Sequence, residues 1–264
     1  MPTQLLLVVP LLLSTTPAAA QPVAPARAAT LDEVQDKRPE VEKLCEELRA
    51  LVGKGGAQDQ EAVAVVDKLL QEFKSSGPKD RALIVNALSK NFEAKRREND
   101  AGVRDNRIYR ASAHALGQMG SDATKAITKW IGAKDHKKDL PVQSDLIRAL
   151  GKTKDKAAVP ELIGLLEHKD APLVGAAADA LGEFHEGEVD VRKKAFEGML
   201  KVLMSAKGAK DSNLNDLIAR ERYDTIASPI ITSLARLAKH DERDPDEWQR
   251  WWNKNKGKNW DEGK

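Results

Sequence analysis

The segment ALGKTKDKAAVPELIGLL, residues 149–166, contains the pattern that decides the fold. It opens with an Ala-Leu-Gly triplet, passes through a short polar turn, and continues as an apolar helical pattern. The triplet also occurs at residues 115–117 and 180–182, which spaces its leucines by 34 and 31 residues. A repeat of this length predicts one helix pair, which must stack on its neighbours to bury its apolar faces. We therefore predict an all-α fold, a right-handed α-solenoid of stacked antiparallel helix pairs.

Apolar residues at helical spacing predict the individual helices. Each triplet is expected to end the first helix of a pair, with its glycine in the left-handed cap conformation. The second helices carry Ala123, Ile127, Trp130 and Ile131, then Ala158, Leu162, Ile163 and Leu166, then Val191, Phe196, Met199, Leu200 and Leu203. Leu150, Leu162, Leu166 and Leu181 are predicted to form one continuous core. Three earlier stripes, which include Val41, Leu69 and Leu88, predict further helices.

The N-terminal residues indicate export. An apolar run from Leu5 to Leu13 precedes the small residues 18–20, a layout typical of a secretory signal peptide cleaved after Ala20. No later segment is apolar for the roughly 18 residues that a membrane span needs. We therefore predict a periplasmic or extracellular protein without a membrane span.

The predicted organisation has four parts. They are a signal peptide at 1–20, a Pro/Ala-rich leader at 21–30, a helical-repeat domain at 31–240, and a Trp-rich C-terminal cap with a Lys-rich tail at 241–264. Folded structure is expected to begin near Thr30, where Thr30 and Glu33 form a potential capping box.

The segment 149–166 resembles HEAT-like repeats of the phycobilisome-lyase type, whose units read as Ala-Leu-Gly, a polar turn and an Ala-Val-Pro-x-Leu helix. The resemblance covers residues 107–205 and implies a HEAT or armadillo-like helical fold that binds other macromolecules. Together with the predicted signal peptide, it indicates an exported bacterial HEAT repeat domain-containing protein.

Residues that could carry chemistry are sparse. Cys45, the single cysteine, falls on an apolar stripe, which favours a buried filler over a nucleophile. His185-Glu186 is the one His-Glu pair, and a solvated turn is favoured over a metal cluster with Glu188 and Asp190. Zinc-hydrolase, nucleophile-elbow and phosphate-loop motifs do not occur.

We predict no enzymatic activity, no metal and no cofactor. The alternative is a lyase-like or cofactor-handling protein, because related repeat proteins include bilin lyases.

Basic residues cluster around two predicted loops. They are Lys95, Arg96, Arg97, Arg104, Arg107 and Arg110, and then Lys134, Lys137 and Lys138. Nearby acidic residues and a formal net charge of only +2 favour a solvated edge over a polyanion site. Nucleic-acid binding is therefore not expected, and polyanion binding through these loops stays an alternative.

Four of the five tryptophans lie between residues 248 and 260. Asp244 and Pro245 are expected to start a short helix whose one face carries Trp248, Trp251 and Trp252. The helix before it is expected to begin at Ser228 and Pro229. We predict that the indoles form a structural cap over the C-terminal end, and an aromatic ligand box is the alternative.

These observations favour a non-catalytic scaffold that binds a protein partner of unidentified nature. The second helix of each pair is expected to line the binding face, as repeat solenoids commonly arrange it. The candidate contact residues on that face are Lys125, Lys129, Glu161, His168, Lys194, Glu197 and Lys201.

Overall fold

The computed structural model of the chain describes residues 36–98 and 104–261. The predicted signal peptide, the leader and the potential capping box at Thr30 lie outside these residues. Within the described ranges the α-helices are α1 (Pro39–Val52), α2 (Asp59–Ser75), α3 (Pro78–Lys90), α4 (Arg107–Gly117), α5 (Thr124–Trp130), α6 (Leu140–Lys152), α7 (Val159–Leu165), α8 (Ala171–Gly182), α9 (Val189–Ser212), α10 (Leu217–Ala238) and α11 (Pro245–Asn255).

The helices form two adjacent rows. The first row is a continuous stack in which α2, α4, α6, α8 and α10 follow one another. In the second row α1 lies beside α3, α3 beside α5, α7 beside α9, and α9 beside α11. From α1 to α10, successive helices in the chain pack against each other and link the rows. The predicted all-α solenoid of stacked helix pairs is therefore confirmed.

Local sequence explains where several helices begin. Side chains of aspartate accept hydrogen bonds from the exposed first-turn amides of three helices: Asp139 from Val142, Asp216 from Ala219, and Asp244 from Asp246. Proline occupies the first or second position of α1, α3, α6, α7, α8 and α11. Proline suits these positions because its missing amide would have no partner within the helix.

The predicted leucine core is confirmed. Leu150, Leu162, Leu166 and Leu181 each have no exposed surface and belong to one cluster of buried residues. Leu150 and Leu181 come from α6 and α8 in the first row, and Leu162 comes from α7 in the second. The core therefore runs between the rows as well as along them.

The triplet glycines have a different role from the one predicted. The first helices end at the triplets as predicted, because α4 ends at Gly117, α6 at Lys152 and α8 at Gly182. The left-handed cap is wrong, since none of the three glycines has a positive φ and that of Gly182 is −61°. A β-carbon on Gly151 would lie 2.6 Å from the β-carbon of Ala180, and one on Gly117 would lie 2.9 Å from the α-carbon of Ala149. These glycines are needed because neighbouring first-row helices approach backbone to backbone, and not because a left-handed cap requires them.

The same contact continues into α10, where the sequence has no Ala-Leu-Gly triplet. A β-carbon on Gly182 would lie 2.7 Å from the hydroxyl oxygen of Ser233. Ser233 thus occupies the place that Ala149 and Ala180 occupy in the preceding steps. The stack of first-row helices therefore extends one step beyond the segment that the triplets identify.

The helix α10 begins earlier than predicted. It starts at Leu217 after the Asp216 cap, and Pro229 lies inside it instead of at its first position. Pro229 packs its ring toward Gly175 of α8, whose β-carbon would approach the ring to 3.3 Å. Gly175 has no side chain and therefore leaves room for the Pro229 ring. The packing of α10 against α8 thus outweighs the tendency of Ser228-Pro229 to begin a helix.

Glycine-to-alanine substitutions should separate backbone contact from helix propensity. Gly151→Ala should lower the free energy of unfolding by about 1–3 kcal/mol, since its new methyl group overlaps Ala180. Gly208→Ala in α9 meets nothing within 4 Å and should raise it by about 0.5–1 kcal/mol, the usual gain of alanine over glycine in a helix. Urea denaturation followed by circular dichroism measures both. Equal effects of the two substitutions would contradict the contact.

Candidate functional site: the groove between α7 and α9

The structure places most of the predicted contact residues at the surface of the second row. His168 is half-buried, and the six others are exposed: Lys125, Lys129, Glu161, Lys194, Glu197 and Lys201. Lys129 forms an ion pair with Glu93 at 3.4 Å, and Lys201 forms one with Glu167 at 3.6 Å. The half-buried His168 accepts a hydrogen bond at Nδ1 from the amide of Asp170, so it belongs to a turn rather than to an open face.

The structure brings three of these residues together in one groove between α7 and α9. The groove holds about 830 Å³ and is lined by Lys156, Val159, Pro160, Ile163, Glu188, Asp190, Val191, Lys194, Glu197, Gly198 and Lys201. Lys194, Glu197 and Lys201 are the predicted contact residues among them. Lys125 and Lys129 lie on α5, and Glu161 and His168 do not line the groove. The predicted contact residues therefore do not form one continuous face. Only those on α9 line this groove.

The floor of the groove is apolar and partly open to solvent. Ile163 and Val191 are half-buried, and Pro160 is exposed. Gly198 stands opposite Ile163, whose Cγ2 would lie 3.3 Å from a β-carbon at that position. The same β-carbon would lie 3.6 Å from Cδ1 of the buried Leu166, so Gly198 lets α9 approach α7 closely at the floor. A larger side chain at residue 198 would occupy this part of the floor and crowd Ile163.

Ion pairs connect the two helical segments at both ends of the groove. Lys156, just before α7, lies 3.4 Å from Glu188, just before α9. Lys201 of α9 lies 3.6 Å from Glu167, just after α7. All four side chains are exposed, so these pairs contribute little to stability. Their positions leave Asp190, Lys194 and Glu197 along the rim, and these three make no ion pair with other described residues.

The residues considered for chemistry are engaged in structural contacts. Cys45 is buried, and burial raises the pKa of its thiol to about 11, which disfavours the reactive thiolate. Glu186 forms an ion pair with Lys154 at 3.1 Å, and this hydrogen bond lowers the pKa of the Glu186 carboxyl. The described residues contain no group of three or more His, Cys, Asp or Glu side chains placed to hold a metal ion.

Several residues of the predicted basic loops are paired with acidic groups. Arg96 is buried and binds Asp59 through two hydrogen bonds of 2.8 Å, so the structure removes it from the proposed basic surface. Exposed or half-buried arginines also have carboxylate partners: Arg104 with Glu98, Arg107 with Asp105, and Arg110 with Asp145. Part of the positive charge expected for a polyanion site is therefore neutralised locally.

The C-terminal tryptophans converge on Phe196 of α9. The centroid of the Phe196 ring lies 5.2–5.6 Å from those of Trp248, Trp251, Trp252 and Trp260. Trp248, Trp252 and Trp260 are buried, and Trp251 is half-buried against His240. The space between the indoles is occupied by Phe196, which leaves less room for the alternative of an aromatic ligand box. The structural cap itself stays a prediction.

Arg192 holds this region together, and the sequence did not single it out. Its side chain is almost fully buried and donates to the carbonyl oxygen of Leu237 at 2.6 and 2.8 Å. It also donates to both carboxylate oxygens of Asp261 and lies 5.4 Å from the Trp260 ring. The sequence offered one signal that Arg192 is buried: it directly follows Val191 and lies on the side of α9 that carries Phe196. Because charged side chains are usually exposed, this position alone did not predict the burial of Arg192.

Comparison with known proteins agrees with the helical architecture. Residues 133–201 match the family model described as HEAT repeats, a segment that contains α6, α7 and α8 and reaches the middle of α9. No curated protein sequence matches the chain. The HEAT-repeat prediction is confirmed over this segment, and the phycobilisome-lyase type and exported origin stay predictions. None of the helices in the described ranges is long and apolar enough to cross a membrane.

Removing the C-terminal segment should destabilise the protein. A chain ending before Asp244 loses four indoles and Asp261, which exposes Phe196 and leaves Arg192 without that carboxylate. We expect the melting temperature to fall by about 10 °C or more, since 1 kcal/mol corresponds to roughly 2–4 °C at this length. Differential scanning calorimetry measures this change, and a chain that lacks only residues 262–264 is the control. An unchanged melting temperature with loss of a bound ligand would instead support the aromatic box.

Proposed function

We propose that the chain is a non-catalytic scaffold that binds a protein partner outside the cytoplasm, and that the groove between α7 and α9 is its main docking surface. One observation carries the proposal: an open apolar floor lies between charged rims, within the segment that matches HEAT repeats. Protein interfaces commonly combine an apolar centre with a polar rim. HEAT repeats usually mediate protein interaction and are usually not catalytic, which supports the proposal that the partner is a protein.

The alternative functions have weaker support. A lyase-like or cofactor-handling role would require groups to hold a chromophore or a metal, and the His185-Glu186 segment uses Glu186 in an ion pair with Lys154. Polyanion binding would rest on Lys95, Arg97, Lys134, Lys137 and Lys138, because the other four residues of the basic loops, Arg96, Arg104, Arg107 and Arg110, have acidic partners. A protein partner makes better use of the mixed apolar and charged groove.

Photo-crosslinking tests the docking surface. A benzoylphenylalanine at Pro160, in the groove, should give a defined adduct in extracts from the native host, and one at Pro172 in α8 should not. Both prolines are exposed, so accessibility is matched. Excess wild-type protein should compete for the adduct, and the Gly198→Leu variant should compete at least about tenfold less well because it fills the groove.

A second variant keeps this test independent of folding defects. Combined Lys194→Glu and Glu197→Lys substitutions change only exposed side chains and should also reduce competition. Melting temperatures of all competitors report whether they fold. The docking proposal fails if folded variants compete as well as wild type, or if both crosslinking positions give the same adduct.

Protein sequencing tests the proposed location. Edman degradation of the chain purified from a periplasmic or secreted fraction should begin at Gln21, because cleavage is expected after Ala20. The Leu7→Arg substitution disrupts the apolar run and should cause intact chain to accumulate in the cytoplasm. Intact Met1 on cytoplasmic protein of the unmodified sequence would contradict export.

A further inference from the structure

We infer that the cavity between α1 and α3 binds a small amphipathic molecule with an apolar body and one anionic head group. No residue that lines this cavity belongs to the groove between α7 and α9, so the inference goes beyond the proposed function and does not depend on it. Three features carry it: the size of the cavity, its apolar interior, and two cations that have no acidic partner among the described residues.

The cavity has the size of a small-molecule site. It holds about 500 Å³, within the roughly 300–1,000 Å³ that is usual for such sites. One wall extends from Cys45 to Gly53 at the end of α1, which at 1.5 Å per residue is about 12 Å. The other wall is α3 from Leu83 to Lys90, and the turn after α3 lines a third side. An occupant about as long as two helical turns fits this space.

The interior of the cavity is apolar and uncharged. Cys45 and Val52 are buried on the α1 side, and Leu83 and Ala87 are half-buried on the α3 side. Burial raises the pKa of the Cys45 thiol to about 11, so the thiol carries no charge at neutral pH. The half-buried side chains leave apolar surface that an apolar ligand can cover. Ligand sites commonly combine such an interior with a few polar groups that fix the orientation of the ligand.

The charged residues that line the cavity favour an anion. Arg49 on α1 and Lys90 on α3 are exposed on opposite walls, and neither forms an ion pair within residues 36–98 and 104–261. In the described part of the lining Glu93 is the one acidic residue, and it already forms an ion pair with Lys129 at 3.4 Å. Asn86 lies one turn before Lys90 on the same face of α3 and offers an exposed amide. An anionic head group would therefore meet two uncompensated cations, whereas a cationic one would meet like charge.

Three ligands test the head group and the apolar body, each at concentrations where it is monomeric. Decanoate has both a carboxylate and a long apolar chain, decylammonium replaces the carboxylate by a cation, and butyrate keeps the carboxylate on a short chain. Methyl NMR of the mature chain should show saturable shifts at Val52 and Leu83 when decanoate is added. Ile163 and Val191, which line the α7–α9 groove, should not shift. Decylammonium and butyrate should each bind at least about tenfold more weakly than decanoate.

Removal of positive charge locates the head group. Arg49→Gln and Lys90→Gln should each weaken decanoate binding by about threefold or more at low salt, and should leave decylammonium binding no weaker than before. Lys43→Gln removes an exposed lysine of α1 outside the cavity and is the matched control, which should stay within about twofold of wild type. Equal affinity for decanoate and decylammonium, or charge removals that act no more strongly than Lys43→Gln, would overturn the inference.

A filled cavity tests the location of the apolar body. Ala87→Leu enlarges a lining side chain and should weaken decanoate binding by at least about tenfold, and melting temperatures show which variants fold. The inference is wrong if folded Ala87→Leu binds decanoate as wild type does, or if the methyl groups of the α7–α9 groove shift together with those of the cavity. An acidic amphipathic peptide that saturates the same shifts at lower concentration than decanoate would also contradict it, since the occupant would then be a protein segment.

Discussion

The close backbone contact between first-row helices is the constraint on which the rest of the structure depends. At Gly117, Gly151 and Gly182 a single methyl group would overlap the next helix, so the three steps from α4 to α10 each require a residue without a side chain. The facing residues Ala149, Ala180 and Ser233 are also small. Because three successive steps share this contact, the first row has one defined spacing. Close-packed interiors tolerate little added volume, which makes the spacing sensitive to substitution.

The second row is less closely packed, and this difference creates the candidate site. No triplet governs its contacts, and its helices differ widely in length, from the seven residues of α7 to the 24 of α9. Where α7 and α9 lie side by side, apolar residues are left partly open instead of being covered by a neighbouring backbone. The proposed docking surface therefore lies on the row that does not set the spacing of the stack.

The sequence predicted the parts of the fold that are periodic, and the exceptions have physical causes. Leu150 and Leu181 were assigned to the core because the spacing of apolar residues along a helix is enough to predict which of its sides is buried. The glycine role was misassigned because a glycine before a polar turn fits a cap as well as a close contact. The helix contact at Ser233 was missed because the stack requires a small residue at this position and not alanine in particular. The groove was predicted only as a face, since residues 159–163 and 191–198 become neighbours through packing that no local pattern encodes.

Two buried arginines, Arg96 and Arg192, make hydrogen bonds at places where the helical array meets less regular segments. Arg96 donates to the carbonyl of Val52, at the end of α1, and to the Asp59 carboxylate at the start of α2. Arg192 makes the same pair of contacts with Leu237, near the end of α10, and with Asp261. Each guanidinium thus satisfies a carbonyl near a helix C-terminus together with one carboxylate. Arg96 and Asp59 are both buried, and removing one partner of such a pair typically costs about 3–5 kcal/mol, because the remaining charge is left uncompensated. The Asp261 side chain is 43% exposed, so solvent screens part of its interaction with Arg192. Both arginines lie at junctions of the array, whereas the ion pairs at the α7–α9 groove join exposed side chains and hold no junction of the array together.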